Sequence, residues 1–203
     1  MRGLYLVTPN WDDTEALLDA SEQALRAGAA LLQYRHKSAS GQLRRAQASQ
    51  LLALCRRFQT PFIINDQLDL CLELGADGVH VGGTDASVAE ARHALGEGKI
   101  VGASCYGDKQ LARDASANGA SYVAFGGFYP SKVKQYAVTT QAEIVSWAKA
   151  EIALPVVVIG GMTSDNAAPL VARGADMVAA ISSVYGAPQI DTAIHGFTRL
   201  FVQ

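Results

Sequence analysis

Residues 75–85 read GADGVHVGGTD: a glycine-led turn, a short apolar run carrying one histidine, then two glycines and a carboxylate. This is the order of a strand that starts behind a helix-ending glycine and finishes in polar residues. The opening phrase returns as Gly28-Ala29-Ala30, Gly119-Ala120-Ser121 and Gly174-Ala175-Asp176, each just ahead of another apolar run. Glycine is expected as the helix C-cap and the residues after it as the start of a strand. Small residues in tight turns explain the phrase fully, so it speaks for the fold and not for chemistry. Outward from this unit, apolar runs lie at 4–7, 30–34, 62–64, 78–81, 100–103, 122–125, 156–159 and 177–181. Amphipathic stretches such as 13–27, 41–58 and 140–150 separate them and read as helices. Alternation of strand and helix implies parallel pairing, and eight strands each followed by a helix predict a single closed (β/α)8 TIM barrel over residues 1–203.

The bulk composition agrees. A chain of 203 residues with 49% apolar content buries one sizeable core. Its 17 basic and 19 acidic residues leave a formal charge of −2, which removes the general attraction on which nucleic-acid binders rely. Cys55, Cys71 and Cys105 are odd in number and follow no CxxC spacing, so they read as buried free thiols in a reducing compartment. The start, MRGLYLVTPN, has no signal-peptide pattern, and no apolar run reaches the roughly 18 to 20 residues that cross a bilayer. The expectation is a cytoplasmic protein acting on small molecules, with no nucleic-acid or membrane partner. A homodimer is compatible with the sequence.

In a barrel of this kind the chemistry sits at the carboxyl ends of the strands. The second strand ends in Gln33-Tyr34-Arg35-His36-Lys37, where alternation places Gln33, Arg35 and Lys37 on one face. Two cations on one face want an anion. The third strand ends in Asn65-Asp66, and the fourth carries His80 and then, past Gly82-Gly83, Asp85. The fifth ends at Ser104, the sixth leads to Ser131 and Lys134, the seventh runs into Gly160-Gly161 and the eighth into Ser182-Ser183. The loops after strands seven and eight suit a phosphate held by backbone N–H groups. Asp66 and Asp85 supply hard oxygen ligands for a divalent cation, and Mg²⁺ typically takes only one or two protein carboxylates beside phosphate and water. Two anion sites with a metal at one of them suggest a diphosphate leaving group facing a monophosphate acceptor. His80 is expected to pack inside the barrel with a satisfied ring, and His36, His93 and His195 look peripheral.

Taken in order, QYRHK (33–37), IINDQLDL (63–70), GADGVHVGGTD (75–85), VGASCY (101–106), YVAFGGFYPSKVK (122–134), PVVVIGGM (155–162) and GADMVAAIS (174–182) resemble the motif series of the thiamine-phosphate synthase family. The resemblance covers nearly the whole chain. It implies a transferase that joins hydroxymethylpyrimidine diphosphate to a thiazole phosphate, giving thiamine phosphate and pyrophosphate by a dissociative, Mg²⁺-dependent step. Carried over motif by motif, Gln33, Tyr34, Arg35, His36 and Lys37 would hold the pyrimidine diphosphate, with Asn65 assisting. Asp66 and Asp85 would bind Mg²⁺. Ser104 would contact the same substrate and Lys134 its departing phosphate, so Arg35, Lys37, Ser104 and Lys134 form the expected catalytic set. Ser131, Lys132, Val133, Gly161, Ile181 and Ser182 would receive the thiazole phosphate.

Three departures stand out. Gly83 and Gly127 occupy places where the family commonly has Gln and Pro, and Ser131-Lys132-Val133-Lys134 stands for the usual Thr-x-Thr-Lys. One hydroxyl is thereby lost to Val133, and Lys132 is expected to supply charge in compensation. A thiazole tautomerase on the same barrel, or a non-catalytic sensor of phosphate ligands, are the alternative readings. Against the first stand Arg35, Lys37, Asn65, Asp66, Asp85 and Lys134, a diphosphate cage for which proton transfer on a monophosphate has no use.

Overall fold

The structure, a computed structural model, describes residues 1–83, 85–130 and 139–202. Eight parallel strands close into a barrel in chain order: β1 (Gly3–Val7), β2 (Leu31–Tyr34), β3 (Phe62–Asn65), β4 (Gly78–Val81), β5 (Ile100–Tyr106), β6 (Tyr122–Gly126), β7 (Val156–Ile159) and β8 (Met177–Ala180). The outer helices are α1 (Thr14–Arg26), α2 (Gly41–Arg57), α3 (Leu68–Leu74), α4 (Val88–Leu95), α5 (Lys109–Ala117), α6 (Glu143–Glu151) and α7 (Ser164–Ala172). A four-residue helix α8 (Ser182–Tyr185) precedes α9 (Ile190–Thr198), and a short 3₁₀ turn follows at Arg199–Phe201. The expected barrel is present with each strand where its apolar run lies.

Alternation along each strand makes two cores. Leu4 and Leu6 face the helices and join the large outer core, whereas Tyr5 and Val7 point inward. Leu31, Ile63, Tyr122, Val157 and Met177 fill the barrel with them, a closed floor beneath the rim. Strand β5 runs three residues past the apolar stretch that announced it. A register shift between Ser104 and Tyr106 bulges it there, and bulges of this kind re-aim side chains at sites.

The glycine-led phrase has a structural reason beyond its turn. Gly75 caps α3 in the left-handed conformation (φ 63°), while Gly174 stands one residue past the α7 cap at φ 105°. The third residue of the phrase then clamps the neighbouring strand. Asp77 Oδ2 accepts from the Phe62 amide at 2.8 Å, Ser121 Oγ from Val101 at 3.0 Å, and Asp176 Oδ2 from Val156 at 2.8 Å. Each holds an amide at the start of β3, β5 or β7, at the amino-terminal end of the barrel.

Candidate active site

The opposite end opens into a cavity of about 910 Å³. Part of its wall is set by side-chain clamps on the backbone. Thr8, fully buried after β1, accepts from the Arg35 amide at 2.8 Å and donates to the Arg35 carbonyl at 3.2 Å. Asn10 Oδ1 accepts from the Lys37 amide at 3.2 Å. These bonds hold residues 35–37 at the rim, where Gln33, Arg35 and Lys37 line the cavity together.

Asp66 follows β3 at φ 63°, a left-handed conformation that aspartate tolerates better than most residues. Its amide donates to the His80 carbonyl at 2.9 Å, tying the turn to β4. Its carboxylate stands in the cavity with Oδ2 3.2 Å from Lys37 Nζ. Asp85 faces it across the same wall, and the Gly82 amide donates to its Oδ2 at 3.1 Å. Burial and the adjacent Asp66 carboxylate push the Asp85 carboxyl above the usual carboxylate range, against the pull of the Gly82 amide and Lys37.

Two carboxylates crowded in this way fit a divalent cation, which relieves their repulsion. Among the described residues no cluster of three His, Cys, Asp or Glu side chains forms, so an all-protein cage of the kind that holds Zn²⁺ or Ca²⁺ is not built from them. The pair suits Mg²⁺, whose remaining ligands are commonly phosphate oxygens and water.

Asn65 and Ser104 line the cavity between the charged groups and the interior, and Gly161, Ile181 and Ser182 line it on the far side. Gly161 sits at φ 63°, and a Cβ there would stand 2.2 Å from the Pro130 carbonyl oxygen, so close packing of the chain after β6 already requires glycine. Ser183 Oγ is buried at this wall with no partner among the described residues. A buried hydroxyl left so costs about 1–3 kcal/mol, which a ligand oxygen or a water offsets.

Tyr34 and His36 are not brought into this cavity. The same alternation that aims Gln33 and Arg35 inward turns them outward. The Tyr34 hydroxyl donates to Gln47 Oε1 at 2.9 Å, with burial pushing its pKa up to about 12, and His36 Nε2 lies 3.0 Å from Asp12 Oδ1. Both edge a smaller cleft of about 150 Å³ beside Lys37, Arg44 and Asp66. Ser131, Lys132, Val133 and Lys134 lie outside the described residues. The amides of Thr139 and Thr140 both donate to the Gly127 carbonyl at 3.2 Å.

The thiamine monophosphate synthase family matches residues 4–184. The chain belongs to that family. Over 203 residues it is 63% identical to the thiamine-phosphate synthase of Janthinobacterium sp. (strain Marseille), covering 100% of this chain and 98% of that protein. It is 51% identical to the thiamine-phosphate synthase of Thiobacillus denitrificans over 98% of this chain and 94% of the relative. A solved thiamine phosphate pyrophosphorylase from Pyrococcus furiosus matches at TM-score 0.85 and 29% identity, covering 98% of this chain and 94% of that one. As a thiamine monophosphate synthase family member the chain is a transferase.

Two departures from the family's motifs acquire physical reasons. Gly127 holds φ 84°, a conformation closed to proline, whose ring keeps φ near about −65°. Gly83 holds φ 63°, with the Tyr106 hydroxyl 3.1 Å from where a Cβ would be.

Sequence reasoning did not single out Tyr5 and Tyr122. Their hydroxyls meet at 2.7 Å in the middle of the barrel, one bonded to Gln33 and the other to His80. A tyrosine in an apolar strand reads as core, and both are; alternation alone marks Tyr5 as inward, beneath Val7. His80 has its expected satisfied ring, yet it also lines the cavity.

Proposed function

We propose that this chain is a thiamine-phosphate synthase joining 4-amino-2-methyl-5-hydroxymethylpyrimidine diphosphate to a thiazole phosphate, with release of pyrophosphate. The observation that carries the reading is the composition of one rim. Arg35 and Lys37, the facing carboxylates Asp66 and Asp85, and the ends of β7 and β8 all border a single cavity, in a chain 63% identical over its whole length to a protein named for that activity.

Asp66 and Asp85 would hold Mg²⁺, which supplies positive charge to the diphosphate oxygens. Arg35 and Lys37 add fixed cations on the same side, so charge growing on the leaving group meets a preorganised counter-field. No side-chain nucleophile is needed. In the dissociative route the C–O bond to the diphosphate breaks first, leaving a benzylic-type cation stabilised by the aminopyrimidine. The thiazole nitrogen then donates its electron pair to that carbon. Gln33 and Asn65 orient the pyrimidine, while Gly161, Ile181 and Ser182 seat the acceptor's phosphate across the cavity, so that proximity accounts for much of the rate. Lys134 and the segment 131–133 are assigned from the family motif to the phosphates. Three free, buried cysteines suit a reducing cytoplasm, and no described helix is long and apolar enough to cross a membrane.

The test is incubation of the purified chain with both substrates and Mg²⁺. Equimolar thiamine phosphate and pyrophosphate are expected. Binding of either ligand without product would replace the synthase reading with a sensor.

A further inference from the structure

Five side chains form an unbroken hydrogen-bonded line through the barrel, from Gln33 on β2 through Tyr5 on β1, Tyr122 on β6 and His80 on β4 to Ser104 on β5. We propose that this line is a directional relay: it fixes His80 as its Nε2–H tautomer and leaves the Ser104 hydroxyl as a proton donor to the ligand, with Tyr122 as the positioning residue. The consequence for the reaction rests on the synthase reading above; the tautomer does not.

The direction follows from counting protons. The Gln33 side-chain amide donates to the Tyr5 hydroxyl. A phenol has one proton, so Tyr5, accepting there, aims its own at Tyr122 Oη, 2.7 Å away. Tyr122 in turn accepts from Tyr5 and donates to His80 Nδ1 at 2.9 Å. A neutral imidazole that accepts at Nδ1 carries its proton on Nε2, and Nε2 is 2.8 Å from Ser104 Oγ. Ser104 therefore accepts from His80, and its single proton turns to the cavity that it lines. An acceptor atom on the pyrimidine diphosphate is the complementary partner.

The surrounding backbone is cut to fit the line. Tyr122 and His80 stand on strands separated by β5, and the residue between them is Gly102, paired with both. A Cβ on Gly102 would stand 2.1 Å from Tyr122 Cζ and 2.2 Å from its hydroxyl, so the contact exists only across a glycine. At the far end a Cβ on Gly82 would lie 2.5 Å from Ser104 Cβ. Tyr122 is wholly buried, its ring stacks on His80 with centroids 5.6 Å apart and meets Tyr5 edge-on at 5.7 Å. Packing therefore leaves the hydroxyl of Tyr122 aimed between these two groups.

The test is long-range ¹H–¹⁵N correlation of the histidine rings in labelled protein at ~pH 8, above the ordinary imidazole pKa, with His80 assigned by His80→Asn. The relay predicts an unprotonated Nδ1 and a protonated Nε2 at His80 in the wild type. An Nδ1–H tautomer would mean that the line runs the other way, with Ser104 donating inward, and would overturn the proposal, as would a fast-exchanging mixture. In Tyr122→Phe, checked for folding by its melting transition, His80 is expected to lose the single tautomer and kcat to fall about tenfold, the rate equivalent of one lost hydrogen bond, with KM for the diphosphate little changed. An unaltered His80 spectrum in that variant contradicts the positioning role. If the wild type shows the Nε2–H tautomer but makes no thiamine phosphate, the relay stands and the synthase reading falls.

Discussion

Lys37, just past β2, reaches Asp66, just past the neighbouring β3, Nζ to Oδ2 3.2 Å, so the cation proposed for the diphosphate is paired with a carboxylate proposed for the metal. On the proposed reading the two partners separate when diphosphate and metal bind. Lys37→Met should therefore act in opposite directions on the two ligands. The free protein should bind Mn²⁺, a Mg²⁺ surrogate readable by electron paramagnetic resonance, roughly threefold more tightly, the scale of a solvent-exposed charge pair. KM for the pyrimidine diphosphate should rise and kcat fall. Weakened binding of both ligands would show that the pair is structural.

At the closed end of the barrel Asp176 predicts the reverse separation, of stability from activity. Its Oδ2 holds the Val156 amide at 2.8 Å and Lys149 Nζ at 2.9 Å, far from the rim. Asp176→Ala should cost about 1.5–3 kcal/mol, the range for a hydrogen bond to a charged group. Urea unfolding should report that loss while kcat stays at its wild-type value.

The barrel was legible because period-two runs, helical stretches and glycine-led turns agree along the chain. The rim was legible for the same reason: once Leu31–Tyr34 is a strand, Gln33, Arg35 and Lys37 must share a face. That argument also places Tyr34 and His36 outward, and the QYRHK motif obscured it by presenting five consecutive residues as one binding unit. Tyr5 and Tyr122 were hidden differently. Their contacts depend on which strands face each other across the barrel, and Gly102, the residue that lets Tyr122 reach His80, looks in sequence like any strand glycine. The Gly161 contact with Pro130 is likewise a tertiary distance that no local pattern encodes.

Gly102 gives that point an experimental form. Gly102→Ala places a Cβ 2.1 Å from Tyr122 Cζ inside the packed barrel, and overpacking of this kind costs about 1–3 kcal/mol. Gly41→Ala, at the first turn of α2 with nothing within 4 Å, should leave stability unchanged or raise it by about 0.5 kcal/mol. Equal behaviour of the two variants in urea would contradict the packing described for β5.

The cysteines make a prediction about reactivity. Burial pushes the thiols of Cys55 and Cys105 up to about 12 and that of Cys71 to about 11. A raised pKa leaves each as the inert thiol at ~pH 8, where a free cysteine is partly thiolate. Iodoacetamide should label none of them in the folded protein and all three in denaturant, counted by intact mass. Rapid labelling of any one in the native state would place it outside the core.

The central claim is that Asp66 and Asp85 form a Mg²⁺ seat serving departure of the diphosphate. Its most direct test is kcat/KM for thiamine phosphate formation across a Mg²⁺ titration in wild type and Asp66→Ala. Turnover that requires Mg²⁺ and falls by about 100-fold or more in the variant is the predicted result. Turnover at the wild-type rate with the metal chelated, or in Asp66→Ala, would contradict it.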